Sequence, residues 1–470
     1  MVMALVLAGQ MFHAKAQAVS NLYSFGRLPD GANPRPELVQ GSDGNFYGTT
    51  YAGGTNSSGS VFRLTPGGSE SLLYSFGSQP FDGTHPSAGL VQGSDGNFYG
   101  TTYAGGTNSS GSVFRLTPGG RYSNLYSFQG WPGDGGNPSA ALVQGSDGNF
   151  YGTASVGGTN RYGAVFRFTT NGTETILYAF AGPTNDGAGP LAPLVVGLDG
   201  NFYGTTAFGG LTNISGTTAT FIGGFGTVFR ISPGGSYQNL HLFGSVIPDG
   251  LYGLSPLVQG NDGNFYGVTY DGGTYTNLGA VFRITPGGTE SLFYSFGSQP
   301  GDGVRPSSLV VGSDGNFYGT ASAGGTYDLG TLFRVSPGGS ETVLYSFGSQ
   351  LNDGASPLGS LIENSDGIWF GTTEFGGAHT NGTIFELAGV VASATNQITQ
   401  IRLAGTNVVL GILTAPGDTY QLQSTTNLVP AAWSNVTGAS VTSSAGGLLN
   451  VTNFGGTVGP RRFYRFLISP

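Results

Sequence analysis

Residues 43–48, Asp-Gly-Asn-Phe-Tyr-Gly, decide the fold, because this hexapeptide recurs along most of the chain. The further copies begin at Asp95, Asp147, Asp199, Asp262 and Asp314, with a degenerate copy, Asp-Gly-Ile-Trp-Phe-Gly, at Asp366. Successive copies are 52 residues apart, except for one step of 63 residues between the fourth and the fifth. A fixed period of this length is typical of architectures in which each repeat packs only on its neighbours.

Each repeat unit reads as four short strands. In the second full unit they cover residues 71–76, 90–92, 97–102 and 112–116. The Asp-Gly pair predicts a type I′ hairpin turn, because both residues tolerate a positive φ, and Pro-Gly-Gly predicts the other tight turn. Four strands in about 50 residues, repeated seven times, predict an all-β chain with a seven-bladed β-propeller. A parallel β-helix is the rival fold, but its rungs are shorter and need no Asp-Gly hairpins.

The ends of the repeat array predict how the ring closes and where it stops. Residues 21–25 form an orphan strand, and the last unit lacks the matching strand, so the two should pair and hide two sheet edges. The propeller is therefore expected over residues 19–390. Residues 391–470 hold further strand patterns and are expected to form a small C-terminal β-sandwich. The 63-residue step comes from an insertion near residues 211–224.

The N-terminus resembles a secretory signal peptide over residues 1–18. An apolar run is followed by Ala-x-Ala patterns at 14–16 and 16–18. This run is too short to span a bilayer, and no other segment is long and apolar enough to be a transmembrane segment. We therefore expect a secreted or cell-surface protein, and we expect it to be a monomer.

Composition removes several classes of function. Charged residues make up 9% of the chain and the formal net charge is −9, so nucleic acid is excluded as an expected partner, because its phosphates are neutralised by Lys and Arg. There is no cysteine, which excludes disulfides and thiolate metal sites. The sequence predicts no cofactor and no metal site. Calcium is disfavoured at the repeated turns, because each turn offers one carboxylate.

The repeat unit closely resembles the Gloeobacter/Verrucomicrobia (GloVer) tandem repeat. The resemblance rests on Leu-Tyr-Ser-Phe at 73–76, Leu-Val-Gln-Gly-Ser-Asp-Gly-Asn-Phe-Tyr-Gly-Thr-Thr at 90–102 and Gly-Ser-Val-Phe-Arg-Leu-Thr-Pro-Gly-Gly at 111–120, and it covers roughly residues 20–389. It implies a secreted bacterial protein of the kind described as "choice-of-anchor". The family carries no established activity, so no catalytic residue is transferred.

Residues that differ between otherwise identical units are the best candidates for function, because loops on a rigid scaffold carry binding groups. Both longer loops of each unit should emerge on one face of the propeller. Exposed aromatics there would suit sugar stacking or a protein partner, whereas the alternative is that they only cover the blade ends. The candidate binding residues are Tyr51, Tyr103, Trp131, Tyr270, Asp271, Glu374 and Phe375.

A glycan- or protein-binding scaffold is thus the leading interpretation. A carbohydrate-active enzyme, a lyase or glycosidase, is the alternative, with Glu374 and His379 as candidate catalytic residues and Asp353 in the same unit. The sequence leans against catalysis because it holds no familiar nucleophile, metalloprotease or phosphate-loop motif. A purely structural surface protein is the third possibility.

Overall fold

The computed structural model describes residues 18–26, 29–183, 186–211, 213–214, 217–218, 224–245, 248–275 and 278–388, together with six strands between 398 and 469. Contacts divide the chain into two compact units, residues 1–389 and 390–470. The signal peptide predicted at 1–18 lies outside the described residues, except for its last position. Within the described parts, no helix is long and apolar enough to cross a membrane.

The first unit is an all-β, seven-bladed propeller, as the repeat predicts. The first strands of the blades are Val39–Gln40, Val91–Gln92, Val143–Gln144, Val195–Val196, Val258–Gln259, Gly303–Val311 and Ile362–Glu363. The second strands are Phe46–Thr50, Phe98–Thr102, Phe150–Ala154, Phe202–Thr206, Phe265–Thr269, Phe317–Gly324 and Trp369–Thr373. The third strands are Ser60–Leu64, Ser112–Leu116, Ala164–Phe168, Thr227–Ile231, Ala280–Ile284, Thr331–Val335 and Thr383–Ala388. The fourth strands are Glu70–Ser75, Tyr122–Ser127, Glu174–Ala179, Tyr237–Leu242, Glu290–Ser295, Glu341–Ser346 and, for blade 7, Ala18–Ser24.

The expected closure of the ring is confirmed. Ala18–Ser24 is the fourth strand of blade 7 and pairs antiparallel with Thr383–Ala388, in a register that runs from Ala18 opposite Ala388 to Ser24 opposite Thr383. The strand continues into Phe25, which is fully buried and contacts Phe62 of blade 1 at a ring distance of 5.3 Å. Both ends of the propeller are therefore joined in one sheet, which removes two open edges.

Aromatic pairs join every blade to the next. The tyrosine of each hexapeptide packs on the phenylalanine of the following hexapeptide, with ring centroids 4.0–4.4 Å apart. The pairs are Tyr47–Phe98, Tyr99–Phe150, Tyr151–Phe202, Tyr203–Phe265, Tyr266–Phe317, Tyr318–Trp369 and Phe370–Phe46. Because the seventh pair returns to the first blade, the motif forms an unbroken ring of buried contacts.

The hexapeptide also makes the first hairpin turn, but the predicted type I′ geometry is wrong. Only Gly44 of the Asp-Gly pair has a positive φ, of 81°. The bonds from Gly44 N to Gly41 O (2.9 Å) and from Gly41 N to Asn45 O (2.8 Å) define a three-residue loop with a glycine bulge. Asp43 stays at negative φ, where its carboxylate accepts bonds from Asn45 N (3.1 Å) and Tyr47 Oη (2.9 Å). These bonds hold the pKa of Asp43 below its usual range, although burial opposes the shift.

The last glycine of the hexapeptide makes room for a neighbouring ring. A Cβ on Gly100 would lie 2.6 Å from Cζ of Phe114 and 2.9 Å from Cδ2 of Leu90, both of which are buried. The corresponding glycines of the other units meet a third-strand phenylalanine in the same way. Only glycine therefore allows the second and third strands to approach while Phe114 occupies the core.

Two kinds of loop emerge together on one side of the propeller. One joins the fourth strand of a blade to the first strand of the next, and the other joins the second strand to the third. In most blades the two loops pair as a two-stranded ribbon: Gly31–Ala32 with Ala52–Gly53, Gly83–Thr84 with Ala104–Gly105, Gly135–Gly136 with Val156–Gly157, Gly187–Ala188 with Phe208–Gly209, Gly250–Leu251 with Asp271–Gly272, and Gly354–Ala355 with Phe375–Gly376. In blade 6 the ribbon is continuous with the first two strands. We call this side the ribbon face.

The second unit contains two antiparallel sheets. One sheet has the order Ile398–Ala404, Asn407–Thr414, Gly447–Asn453, and the other has the order Ser434–Thr442, Thr419–Thr425, Phe463–Ser469. The insertion predicted at 211–224 contributes a short ribbon, Asn213–Ile214 with Thr217–Thr218, in the second-to-third-strand loop of blade 4.

The substitution Gly100→Ala tests the role of the glycine. We expect a loss of about 1–3 kcal/mol in the free energy of unfolding, because the added methyl group collides with a packed core. Chemical denaturation of the purified protein measures the loss. Gly67→Ala is the matched control, since its Cβ would meet nothing closer than 4.0 Å. Equal stability of the two variants would contradict the packing argument.

Candidate functional site

The ribbon face carries most of the exposed large hydrophobic side chains of the described propeller. Thirteen large hydrophobic side chains are exposed among the described residues. Three lie elsewhere, at Leu72, Val196 and Leu198. The other ten lie in ribbon-face loops: Phe81, Tyr103, Trp131, Val156, Leu254, Tyr275, Tyr327, Leu329, Leu351 and Phe375. All six exposed aromatic side chains of the described propeller are in this second group.

Three of the predicted binding residues are among these exposed aromatics. Tyr103, Trp131 and Phe375 are 39%, 51% and 46% exposed. The guanidinium of Arg161 lies 3.8 Å above the Trp131 ring, so one face of the indole is covered by a cation from the neighbouring loop. This contact fixes the orientation of Trp131.

Tyr51 and Glu374 are joined by a residue that the sequence analysis did not single out. Arg35 lies 4.1 Å above the ring of Tyr51, and its Nε donates to Oε1 of Glu374 at 2.7 Å. The ring of Tyr51 also lies 5.1 Å from that of His85. These four side chains form a continuous chain across blades 7, 1 and 2. Glu374 is buried and serves as the counter-ion of Arg35.

A similar arrangement occurs between blades 5 and 6. Arg305 lies 5.0 Å from the centre of the Tyr270 ring. Burial raises the pKa of the neighbouring Asp271, and the positive charge of Arg305 partly offsets that shift. The variable positions therefore interact with one another between adjacent blades.

The candidate catalytic residues Glu374, His379 and Asp353 are not hydrogen-bonded to one another in the described part of the chain. Within the described part of the chain, the exposed ring of His379 makes no hydrogen bond to Glu374 or Asp353. The carboxylate of Asp353 instead accepts from Tyr345 Oη at 2.7 Å and from Gly348 N at 2.8 Å. Glu374 is held by Arg35, so this arrangement presents no prepared pair of acid and base.

The repeated loop aspartates organise the passage from one blade to the next. Each accepts a bond from a side chain seven or eight residues earlier, on the preceding fourth strand. The pairs are Tyr23–Asp30, Tyr74–Asp82, Tyr126–Asp134, Tyr178–Asp186, His241–Asp249, Tyr294–Asp302 and Tyr345–Asp353, at 2.7–3.0 Å. Their regularity indicates an architectural role for these aspartates.

In several blades a glutamate at the start of the fourth strand lies near this junction: Glu341 is buried, and Glu70 and Glu174 are half-buried. Burial raises the pKa of Glu341 to about 8, and the negative charge of Asp302 adds to the shift. Both side chains are buried, and Oε1 of Glu341 and Oδ1 of Asp302 have no hydrogen-bond partner. The corresponding pKa values are raised to about 7 at Glu70 and to about 8 at Glu174, again by burial first.

One junction differs from the other six, and the sequence analysis missed it. His241 takes the place of tyrosine, and its Nε2 lies 3.0 Å from Oδ2 of Asp249. Glu290 of the next blade completes a group whose potential ligand atoms all lie within 4.8 Å of one another. The detectable signal was Leu-His-Leu-Phe at 240–243, which replaces Leu-Tyr-Ser-Phe.

A cavity of about 460 Å³ opens beside blade 2. Phe81, which is 66% exposed, lies at this cavity, and Tyr122 and Tyr126 contribute rings to its wall. Its polar lining includes Gln79, Thr107, Ser123, Asn124 and Ser127. The cavity thus combines aromatic surfaces with amides and hydroxyls. The one carboxylate that lines it, Asp82, accepts a bond from Tyr74 Oη at 2.7 Å.

The sequence profile of the Gloeobacter/Verrucomicrobia repeat matches residues 8–219 and 210–406. The chain therefore belongs to this repeat family, and the suspected resemblance is confirmed. No protein of curated function matches the sequence.

Solved structures share the architecture at low sequence identity. The extracellular domain of a protein described as a one component system from B. thetaiotaomicron aligns with a TM-score of 0.51 and 11% identity, covering 86% of this chain and 46% of that chain. A gluconolactonase from Xanthomonas campestris aligns with a TM-score of 0.39 and 14% identity, covering 78% and 99%. A protein described as a 6-phosphogluconolactonase from Bacteroides uniformis gives 0.44 and 14%, covering 88% and 99%. The first supports the propeller fold, and none assigns a ligand.

The raised pKa of Glu341 predicts how stability depends on pH. The folded state keeps this proton up to about pH 8, whereas the unfolded chain loses it near pH 4.5. The contribution of Glu341 to the free energy of unfolding is therefore fully present below pH 4.5 and is lost as the pH rises towards 8. Glu341→Gln removes part of this fall, and we expect a gain of about 2 kcal/mol at pH 8.

Denaturant unfolding at pH 5 and pH 8 measures this gain. Thr342→Ala, at an exposed position on the same strand, is the control and should leave the pH dependence unchanged. A glutamine variant that loses as much stability as the wild type between the two pH values would reject the assignment.

Proposed function

We propose that this protein is a secreted binding module that takes a glycan on the ribbon face of its propeller. The observation that carries the proposal is the confinement of all six exposed aromatic side chains of the described propeller to that face. Aromatic rings with neighbouring polar groups are suited to ligands that have apolar faces and many hydroxyls, which is the chemistry of sugars. Extracellular protein remains the second partner class that such a surface would suit.

The cavity beside blade 2 is the preferred sugar subsite. Phe81 offers an exposed ring, while Thr107 offers a hydroxyl and Asn124 an amide oxygen, since the amide nitrogen of Asn124 already donates to Phe81 O at 3.1 Å. Its carboxylate, Asp82, is already hydrogen-bonded to Tyr74, which favours a neutral ligand. The indole of Trp131, on the loop that leaves blade 2, provides a further stacking surface. Tyr103 and Phe375 would extend the binding face to other blades.

A role in positioning the binding face explains the contacts of Glu374 better than a catalytic role does. The Arg35 ion pair occupies its carboxylate, and His379 is not hydrogen-bonded to it. Glu374 and Arg35 instead hold Tyr51 in place at the boundary between blades 7 and 1. Arg305 and Asp271 hold Tyr270 in the same way at the boundary between blades 5 and 6.

Secretion and the second unit belong to the same proposal. Residues 1–18 would act as a signal peptide, and 391–470 would form a β-sandwich from the two three-stranded sheets. Exposure to an extracellular medium would bring the ribbon face into contact with polysaccharides. Secretion of a reporter fused to residues 1–18 is the direct test of the proposed signal peptide.

A glycan array probed with the full chain tests the binding proposal, followed by calorimetry with the best oligosaccharide. Phe81→Ala and Trp131→Ala should each weaken binding about tenfold, because each removes a stacking surface. Leu198→Ala is the control, since Leu198 is 87% exposed but lies in a tight turn away from the ribbon face.

Two outcomes would contradict the proposal of a glycan site on the ribbon face. A blank array would remove glycan as the ligand class. Binding that survives both aromatic substitutions would place recognition elsewhere. Unchanged binding by Leu198→Ala with loss in the other two variants is the result that the proposal predicts.

A further inference from the structure

The seven blade junctions form an internal comparison, because the same positions recur in each. Six have a tyrosine that donates to the loop aspartate: Tyr23, Tyr74, Tyr126, Tyr178, Tyr294 and Tyr345. At the junction between blades 4 and 5 this position is His241. The exchange replaces a phenol, a poor metal ligand at neutral pH, with an imidazole, a common one.

The surrounding side chains complete a set of three ligands. His241 Nε2 lies 3.0 Å from Asp249 Oδ2, and the group formed with a carboxylate oxygen of Glu290 spans no more than 4.8 Å. Two ligand atoms at about 2.1 Å from one zinc ion in a tetrahedral arrangement lie about 3.4 Å apart. Small movements of these side chains would therefore bring all three to one ion.

His241 and Asp249 are buried, Glu290 is half-buried, and the group is incompletely hydrogen-bonded. The side chains of His241 and Asp249 are 8% and 2% exposed. Asp249 accepts bonds from Gly244 N at 2.6 Å and from Gly250 N at 2.7 Å, which fix its carboxylate. Oε1 of Glu290 is buried and has no hydrogen-bond partner. A buried, unpaired carboxylate oxygen is costly, and a cation at this point would supply the missing partner.

We propose that His241, Asp249 and Glu290 bind one divalent transition-metal ion that joins blades 4 and 5. His241 and Asp249 come from the strand and loop that leave blade 4, and Glu290 begins the fourth strand of blade 5. The ion therefore links the two blades directly. It also lies at the blade that carries the inserted loop, where the repeat spacing lengthens to 63 residues.

The donor set selects the class of ion. One imidazole and two carboxylates suit zinc or manganese, whereas calcium and magnesium prefer oxygen ligands alone. Three protein ligands leave one or more positions for water.

The test uses zinc chloride and the full chain after treatment with a chelator. Calorimetry should show one equivalent of Zn²⁺ bound, and the thermal midpoint should rise with zinc concentration, because binding to the folded state adds to its stability. His241→Tyr is the decisive variant: it restores the residue found at the other six junctions and keeps a donor to Asp249. It should fold and bind zinc at least about tenfold more weakly. Glu290→Gln should also weaken binding while it preserves the shape of the side chain.

His379→Ala is the control for adventitious binding, because His379 is an exposed histidine away from the junction. The affinity of the His379→Ala variant for zinc should equal that of the wild type. The proposal is overturned if the wild type binds no zinc, or if His241→Tyr binds it as tightly as the wild type. Loss of binding in His379→Ala alone would mean a surface ion only and would overturn it too.

Discussion

The contact between the tyrosine of one hexapeptide and the aromatic ring of the next is the interaction on which the rest of the propeller depends. Each pair buries two large side chains at a boundary between blades, which are separate hydrogen-bonded sheets in the described residues. The bond that Tyr47 Oη donates to the carboxylate of Asp43 holds the ring in position, so the turn and the boundary are built by one motif. The last copy has Phe370 in place of this tyrosine and still closes the ring on Phe46. The seven blades are thereby held as one unit by short-range packing.

In this scaffold the residues that maintain the fold are repeated in every blade, whereas the residues that differ between blades lie in the loops. The repeated aspartates satisfy turns and junctions, and the repeated glycines allow close packing of the strands. Exposed aromatics and unusual charges collect instead in the loops of the ribbon face. A surface of this kind can change its ligand by substitution of loop residues without loss of the fold. The blade 4–5 junction departs from this division, because His241 alters a structural position.

The sequence was sufficient to predict the blade count, the strand order and the closing strand, because these follow from period and turn chemistry. The type I′ turn was predicted wrongly, since the bonds that Asp43 makes with Asn45 and Tyr47 favour another loop. The pairing of Arg35 with Glu374 spans 339 residues and exists only because the ring closes. The exchange of tyrosine for His241 is visible in Leu-His-Leu-Phe at 240–243, but the approach of Asp249 and Glu290 to this histidine depends on the packing of two blades. Three of the six exposed aromatics, Tyr103, Trp131 and Phe375, were named from the sequence, but their exposure depends on the neighbouring loops.

The most direct test of the account is a comparison of thermal and denaturant unfolding for Phe370→Ala and Phe375→Ala. Phe370 is 2% exposed and closes the aromatic ring, whereas Phe375 is 46% exposed on the ribbon face. We predict that Phe370→Ala lowers the free energy of unfolding by about 3–5 kcal/mol, the cost of emptying a packed aromatic position. Phe375→Ala should leave it within about 0.5 kcal/mol of the wild type. Equal effects of the two substitutions would contradict the claim that the ring of aromatic pairs holds the propeller together.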